Sequence, residues 1–370
     1  MKVGERIPVA NTFIGEEEAK AAYDAVKSGW ISFLGPKVKE FETDFAREVN
    51  VKHAIAVSNG TAALHVALAA IGISEGDEVI VPSLTFISTA NAVLYQNAKP
   101  ILAECDPLTY NITAEEIEKR ITKKTKAIIP VDMNGLPVDY DSILNAARKH
   151  GLNVIADSAE SLGAEYNGKK IGGIAPVHIF SFFPNKNIST GEGGMITTND
   201  DELAGKMRII MNQGQDRRYN HILLGYNYRM TNIQAAVGVE QLKRLHYILA
   251  EKDKIAKKYD LAFKNCKNIR GPYIPRYATK HAWYLYTINV DGTNRDEIVR
   301  GLDGANIETR LSFPPIHNQP FYKEKFGYDE NSLPVSYEAW KKLINIPMWV
   351  GLGEKQDYII EKLKEICEND

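Results

Sequence analysis

The segment FSFFPNKNISTGEGG (residues 180–194) holds one lysine, Lys186, between an apolar run and a glycine-rich turn, and a second apolar run follows at 195–198. A lysine held this way can form a Schiff base with an aldehyde, because burial or nearby cations lower the pKa of the amine and make it nucleophilic. Most loop lysines are solvated surface residues. The glycines precede a strand, whereas a dinucleotide fingerprint follows one and opens a helix, so a nicotinamide site of that type is excluded.

Polar or aromatic residues follow three other apolar runs. SNGTAAL (58–64) opens a helix whose free N–H groups at Gly60 and Thr61 can hold a phosphate, although a capped helix that binds nothing is also common. Phe86 can stack on a flat ring or belong to the core. Asp157 can hold a pyridinium N–H or cap a helix, and Glu160 can contact a ring hydroxyl or complete a capping box.

Each of these patterns is weak alone, but together they supply four complementary contacts. These are a phosphate turn, a stacking aromatic, an acid for a ring nitrogen and a held lysine, and they occur in the order of a single α/β domain. Pyridoxal phosphate needs all four. We therefore predict a pyridoxal phosphate site.

The elements that must position these residues are apolar runs separated by helical segments. The runs are residues 53–57, 78–81, 100–103, 126–131, 153–156, 179–183 and 194–198, and helical periodicity is present at 16–27, 61–71 and 140–150. Strands that are apolar throughout predict an α/β fold with a mainly parallel sheet of about seven strands, covered on both faces. Such sheets bind ligands beyond the carboxyl ends of their strands, where the candidate residues lie.

The pattern changes near residue 244, which predicts a smaller C-terminal α/β domain. A helical stretch at 241–264 leads to HAWYLYTINV (281–290), whose alternation predicts a strand with one exposed face. Helices are predicted in 295–310 and 354–366. We predict a large domain of residues 1–245, with its N-terminal segment packed on the small domain, and a small domain of residues 246–370.

Composition limits the class of protein. A net charge of −2 over 370 residues predicts no nucleic-acid footprint. Three scattered cysteines, Cys105, Cys266 and Cys367, form neither a disulfide framework nor a metal-ligand spacing, so we expect a reducing cytoplasm and no metal. No apolar run approaches the roughly 20 residues that span a bilayer, and the N-terminus lacks the apolar core of a signal peptide.

The motifs above, with GYNYRMTNIQAAVGVEQL (225–242) and IADSAESLGA (155–164), resemble the DegT/DnrJ/EryC1/StrS family of nucleotide-sugar aminotransferases. The resemblance runs from about residue 7 to the C-terminal helix and implies the fold-type I pyridoxal-phosphate transferase fold. The SFFxNK form and the NQGQD segment (212–216) are most similar to members that aminate GDP-4-keto-6-deoxymannose.

The resemblance implies roles for the residues that would contact the cofactor. Lys186 would bind it covalently, and Asp157 would pair with the pyridine nitrogen. Glu160 would lie near the ring hydroxyl and Phe86 against the ring. The phosphate would be bound by Gly60, Thr61 and Ser181.

The resemblance also implies contacts beyond one cofactor site. Asn227 would reach the phosphate of the neighbouring subunit, so a homodimer with active sites at the subunit interface is expected. Arg310 and His317 would form part of the sugar-nucleotide pocket, although a lone histidine such as His317 is more often structural. The segment PVDMNG (130–135) replaces the common PVHLYG beside the sugar, and Ala175-Pro176 replaces the usual Gly-Asp pair.

The implied reaction is ping-pong transamination from L-glutamate to a nucleotide-linked 4-keto-6-deoxy sugar for cell-surface polysaccharide, with pyridoxamine phosphate as the intermediate cofactor form. A UDP- or dTDP-linked keto-sugar is an alternative substrate. A sugar dehydratase and a non-catalytic cofactor-binding protein are alternative functions. Dehydratases of the family carry histidine where Lys186 stands, so the lysine favours transamination.

Overall fold

The computed structural model describes residues 6–291 and 294–368, with side chains as far as residue 366. Its helices are α1 (Glu16–Lys27), α2 (Pro36–Glu48), α3 (Gly60–Ala70), α4 (Ser88–Tyr95), α5 (Ala114–Glu118), α6 (Tyr140–His150), α7 (Asp201–Met211), α8 (Asn232–Phe263), α9 (Arg295–Gly304), α10 (Pro320–Phe326), α11 (Pro334–Lys341) and α12 (Lys355–Glu368). Its strands are β1 (His53–Val57), β2 (Glu78–Pro82), β3 (Lys99–Ala103), β4 (Thr125–Ile128), β5 (Asn153–Asp157), β6 (Glu165–Tyr166), β7 (Lys169–Lys170), β8 (Val177–Ser181), β9 (Gly194–Thr198), β10 (Gln215–Arg217), β11 (Asn220–His221), β12 (Ile269–Arg270), β13 (Ala278–Lys280), β14 (Tyr286–Val290), β15 (Arg310–Leu311) and β16 (Leu343–Ile346).

The central sheet has seven strands in the order β1-β9-β8-β5-β4-β2-β3. Strand β9 is antiparallel to both of its neighbours, and the other adjacent strands are parallel. Val79, Ile80 and Val81 are all fully buried. Because successive side chains of a strand point to opposite faces, both faces of the sheet are covered. The predicted α/β fold with about seven mainly parallel strands is confirmed.

Strand β4 is shorter than the predicted run of 126–131 and ends at Ile128. Pro130 has no N–H to donate to the neighbouring strand. A single bridge between Val131 and Asp157 nevertheless keeps the chain beside β5. The carboxyl ends of β4 and β5 therefore remain adjacent where the candidate site residues lie.

A second sheet, β12-β14-β16-β15, is antiparallel and forms the core of the C-terminal part. The prediction of one exposed face for the strand within 281–290 is wrong, because all five residues of β14 are buried. One face packs on helices α8, α9 and α12. On the other face, Asn289 Nδ2 donates to the hydroxyl of Tyr110 at 3.1 Å, so the large part of the chain covers it.

Helix α8 is one continuous helix of 32 residues that begins with a capping box of Thr231 and Gln234. The predicted boundary between residues 245 and 246 falls inside it. The N-terminal segment contacts the C-terminal part, since Ile7 N donates to Asn306 O at 2.8 Å and Trp349 Nε1 donates to Pro8 O at 2.9 Å.

The described residues contain no helix long and apolar enough to cross a membrane. They also contain no cluster of three or more His, Cys, Asp or Glu side chains arranged to hold a metal ion. Cys105 and Cys266 are free thiols, and the side chain of Cys367 lies outside the described residues.

Candidate active site

A cavity of about 580 Å³ opens at the carboxyl edge of the parallel strands. The structure brings seven of the ten predicted site residues together in its wall: Gly60, Thr61, Phe86, Asp157, Glu160, Ser181 and Lys186. They lie at the ends of strands β5 and β8 or in the segments that follow β1, β2, β5 and β8, as expected for ligand sites in open α/β sheets.

Lys186 is a half-buried lysine whose amine is paired with a carboxylate. Its Nζ lies 3.2 Å from Glu160 Oε1 and 3.9 Å from the centre of the Tyr284 ring. Burial lowers the pKa of Lys186, but Tyr284 and Glu160 outweigh burial and leave the pKa above its usual value. The expectation of a lowered pKa is therefore wrong for the chain without its cofactor, and Nζ must lose a proton before it acts as a nucleophile.

The carboxylate of Glu160 is fixed from two sides. Its Oε2 accepts a hydrogen bond from Asn134 N at 2.8 Å while Oε1 faces Lys186. Both Glu160 and Asn134 are buried. The carboxylate can therefore hold Nζ at the cavity wall and accept its extra proton.

Asp157 ends strand β5 with its side chain buried in the cavity wall. Oδ2 accepts from Thr89 Oγ1 at 2.9 Å, and Oδ1 accepts from Ala159 N at 3.2 Å. Burial raises the pKa of Asp157 to about 6. A positive charge beside a buried carboxylate stabilises its ionised form, so Asp157 fits a protonated ring nitrogen.

The turn before helix α3 presents backbone donors to the cavity. Asn59 caps the helix by accepting from Ala62 N at 2.8 Å, and no acceptor in the described part of the chain takes the N–H groups of Gly60 and Thr61. A Cβ on Gly60 would lie 3.0 Å from Ser181 Cβ. Glycine therefore allows the close approach of turn and strand that an anion at a helix N-terminus requires.

These features fit pyridoxal phosphate. The helix N-terminus suits its phosphate, Asp157 suits its ring nitrogen and Lys186 suits its aldehyde. Phe86, with 52% of its surface exposed, is free to cover a ring and packs against Phe313 at 5.3 Å between centroids. Phe86 is therefore not a core residue, and its contact with the ring stays a prediction.

The sequence matches the family model described as the DegT/DnrJ/EryC1/StrS aminotransferase family over residues 12–364. The chain belongs to this aminotransferase family. It is 44% identical over 368 residues to the GDP-perosamine synthase of Caulobacter vibrioides, and the match covers 98% of each chain. The enzymes of the family use pyridoxal phosphate.

Solved structures agree with the assignment. The putative sugar aminotransferase Spr1654 from Streptococcus pneumoniae, in its PMP form, superposes with a TM-score of 0.94 at 29% identity, covering 98% of both chains. DesV from S. venezuelae, in complex with a ketimine intermediate, superposes with a TM-score of 0.91 at 34% identity, covering 95% of this chain and 94% of DesV.

Three predicted site residues of this aminotransferase do not line the main cavity. Asn227 is exposed, and its Oδ1 accepts from Arg229 Nε at 2.8 Å. Arg310 lines a smaller cavity beside the main one. His317 is fully buried, with Nδ1 at 2.7 Å from Ser83 Oγ, so it lies outside the wall of the main cavity, and its contact with the substrate stays a prediction.

The sequence interpretation missed residues that complete the aminotransferase site. Tyr284 lies against Lys186, and Thr89 donates to Asp157. No sequence signal marks Tyr284, because the left-handed φ of 51° at the preceding Trp283, which is rare for a bulky residue, is visible only in the structure. Thr89 lies four residues after Thr85, and nothing in its pattern distinguishes it from a surface helix residue.

A substitution at Gly194 tests whether the turn before helix α3 binds the cofactor phosphate. A Cβ there would lie 2.5 Å from the backbone oxygen of Asn59, so Gly194→Ala must displace the turn that presents Gly60. We expect about a tenfold or greater loss of affinity for pyridoxal phosphate, since the backbone donors move away from the phosphate. Equilibrium titration of the cofactor-free protein measures it. Gly205→Ala is the control, because its Cβ meets nothing within 4 Å; equal affinity in both variants would contradict the assignment.

Lys252 is a second buried lysine close to the site. Its Nζ donates to Asn187 Oδ1 at 2.8 Å, and burial, followed by the charge of Lys186, lowers its pKa to about 7. Between pH 7 and 10.5, the usual pKa of a lysine, the unfolded chain therefore binds more protons than the folded chain, and this group makes stability rise with pH across that window.

The Lys252→Met variant should accordingly be more stable than the parent at pH 6. The difference in unfolding free energy between the two proteins should shrink by a few kcal/mol as the pH rises to about 10. Urea unfolding of both proteins at matched pH values measures the difference. A difference that does not change with pH would show that Lys252 is charged in the folded protein throughout.

Proposed function

We propose that this aminotransferase acts in the cytoplasm and moves the amino group of L-glutamate to GDP-4-keto-6-deoxymannose. The product, GDP-perosamine, would serve the synthesis of a cell-surface polysaccharide. The observation that carries the proposal is the lysine at the cavity, Lys186, opposite a buried acid, Asp157. The full-length similarity to a GDP-perosamine synthase supports the choice of sugar and nucleotide.

When bound, pyridoxal phosphate supplies an aldehyde for the donor's amino group and a ring that accepts the electron pair left at the donor's α-carbon. Nζ of Lys186 would take the proton from the donor's α-carbon as a base and deliver it to C4′ of the cofactor as an acid. Glu160 Oε1, at 3.2 Å, holds Nζ in place between these transfers. Because the flexible amine of Lys186 carries out both proton transfers, the position in which Glu160 holds it determines where the proton is delivered.

The other residues of the chain hold and shield the ring. The carboxylate of Asp157, fixed by Thr89, keeps a proton on the ring nitrogen and so favours withdrawal of electrons from the α-carbon. The N–H groups of Gly60 and Thr61 bind the phosphate. Phe86 covers one face of the ring and excludes water.

A homodimer is part of the proposal. Large apolar side chains are exposed on two segments, at Trp30 (54%) and Leu34 (68%) and at Leu224 (82%). Asn232 Nδ2, at the start of helix α8, donates to Trp30 O at 2.6 Å, so the first segment is bound to the helix that follows the second. Exposed apolar surface of this kind favours a protein interface, and Asn227 lies within the second segment.

Incubating the purified protein with pyridoxal phosphate, L-glutamate and a panel of nucleotide keto-sugars tests the function. We expect 2-oxoglutarate and amino-sugar in equal amounts, with GDP-4-keto-6-deoxymannose the best acceptor. Deoxygenated sugar without 2-oxoglutarate would indicate a dehydratase, and preference for a UDP- or dTDP-linked sugar would contradict the nucleotide.

A further inference from the structure

A small polar cavity of about 50 Å³ adjoins the main one. Asn185, Tyr284 and Phe313 line both, so a ligand in the main cavity can extend a substituent into the smaller one. Asn185 is the residue before Lys186, which puts the opening beside the reacting amine. The volume suits one or two hydroxyl-sized groups.

Three buried polar atoms at this cavity have no hydrogen-bond partner: Asn134 Oδ1, Asn185 Oδ1 and Ser312 Oγ. In the described residues only five buried side-chain atoms lack a partner, and the other two belong to histidines elsewhere. Asn134 and Ser312 are 7% and 2% exposed. Buried polar groups in folded proteins are nearly always paired, so three unpaired atoms around one cavity indicate a missing polar ligand.

The chemistry of these groups selects the ligand. The unpaired atoms are two amide oxygens, which accept hydrogen bonds, and one serine hydroxyl, which both donates and accepts. A carboxylate only accepts and an ammonium only donates, whereas a hydroxyl does both. Arg310 also lines the cavity, but its charge is already balanced by Glu308 at 3.8 Å, which disfavours a second anion there.

We propose that Asn134, Asn185 and Ser312 form a subsite for ring hydroxyl groups of the acceptor sugar. Of these hydroxyl groups, the one on the carbon next to the reacting carbon would lie nearest to Asn185, because Asn185 precedes Lys186 in the chain. This inference rests on the proposed function. It also gives Asn134, in the PVDMNG segment, a part in substrate choice, whereas Asp132 of the same segment is buried and binds Tyr140, Ser158 and Ser161 instead.

Binding to the cofactor-loaded protein is the first test. Calorimetry with GDP-mannose and with GDP as probes separates the pyranose from the nucleotide. Ser312→Ala and Asn185→Ala should each weaken GDP-mannose about five- to tenfold and leave GDP unchanged. Ser74→Ala, which removes an exposed hydroxyl, is the matched control. A wild-type chain that binds GDP-mannose no better than GDP, or variants that bind like wild type, would overturn the subsite.

The two half-reactions give the second test. The variants should keep the parent KM for glutamate while KM for the keto-sugar rises about tenfold. A rise in KM for glutamate alone would assign the cavity to the donor's carboxylate and overturn the proposal. Equal losses in both half-reactions together with a lower Tm would show a structural role instead. If the wild-type chain aminates no keto-sugar, the proposed function fails, whatever the variants bind.

Discussion

Lys186→Ala should lower the transamination rate by at least about 10³-fold, the upper range for removing a positioned acid–base group. The loss is expected to be large because one amine carries both the covalent attachment and the proton transfers. Borohydride treatment of the cofactor-loaded protein, followed by peptide mass spectrometry, should find an adduct at residue 186 in the parent and none in the variant. Turnover is measured as 2-oxoglutarate release.

Lys206→Ala is the matched control, since Lys206 is an exposed lysine of helix α7. It should keep parental turnover and the adduct at Lys186. Circular dichroism separates loss of chemistry from loss of fold in Lys186→Ala, where Glu160 is left buried without its partner. A folded Lys186→Ala protein with more than a tenth of parental turnover would refute the role of the lysine.

The strands of the central sheet could be predicted because their burial is complete on both faces. The run 78–81 is apolar after Glu78 at its start, and β2 occupies it with one residue added. β14 shows the limit of this reasoning. Polar side chains such as Asn289 suggested solvent, but they are buried against Tyr110 of the other part of the chain, and only the packing of distant segments reveals that.

The cavity residues also divide into those that the sequence could predict and those that only the folded chain reveals. Asp157 and Ser181 end parallel strands, and the topology of such sheets places strand ends at ligand sites. Tyr284 and Ser312 come from the C-terminal part, about a hundred residues beyond Lys186, and no local pattern links them to it. The pKa of Lys186 was also mispredicted, because the contact with Tyr284 that raises it depends on that long-range packing.

Asp157→Asn should lower turnover about 10²- to 10⁴-fold, although the side chain keeps nearly the same shape. An amide cannot hold a positive charge on the ring nitrogen, so the ring loses much of its power to accept electrons. Ala159 N can still donate to the amide oxygen, and the Thr89 hydroxyl can accept from the amide nitrogen that replaces Oδ2, so the cofactor should remain bound. Single-turnover absorbance measurements with glutamate report the rate of the first half-reaction.

The same substitution should stabilise the cofactor-free chain. Burial raises the pKa of Asp157 from 3.8 to about 6, so the folded state binds more protons than the unfolded state between these values, and stability falls as pH rises through the window. Asp157→Asn removes that penalty, which amounts to at most about 3 kcal/mol above pH 6 and vanishes near pH 4. Urea unfolding at both pH values measures it.

A variant that is more stable but turns over more slowly would show that the buried carboxylate serves the reaction and not the fold. If the residue served only the fold, its replacement would make the protein less stable. The charge of Glu160 also raises the pKa of Asp157 and that of Lys186 lowers it, so the comparison is made between proteins that retain both. A variant with parental turnover and lower stability at pH 7 would show that Asp157 serves the fold rather than the ring.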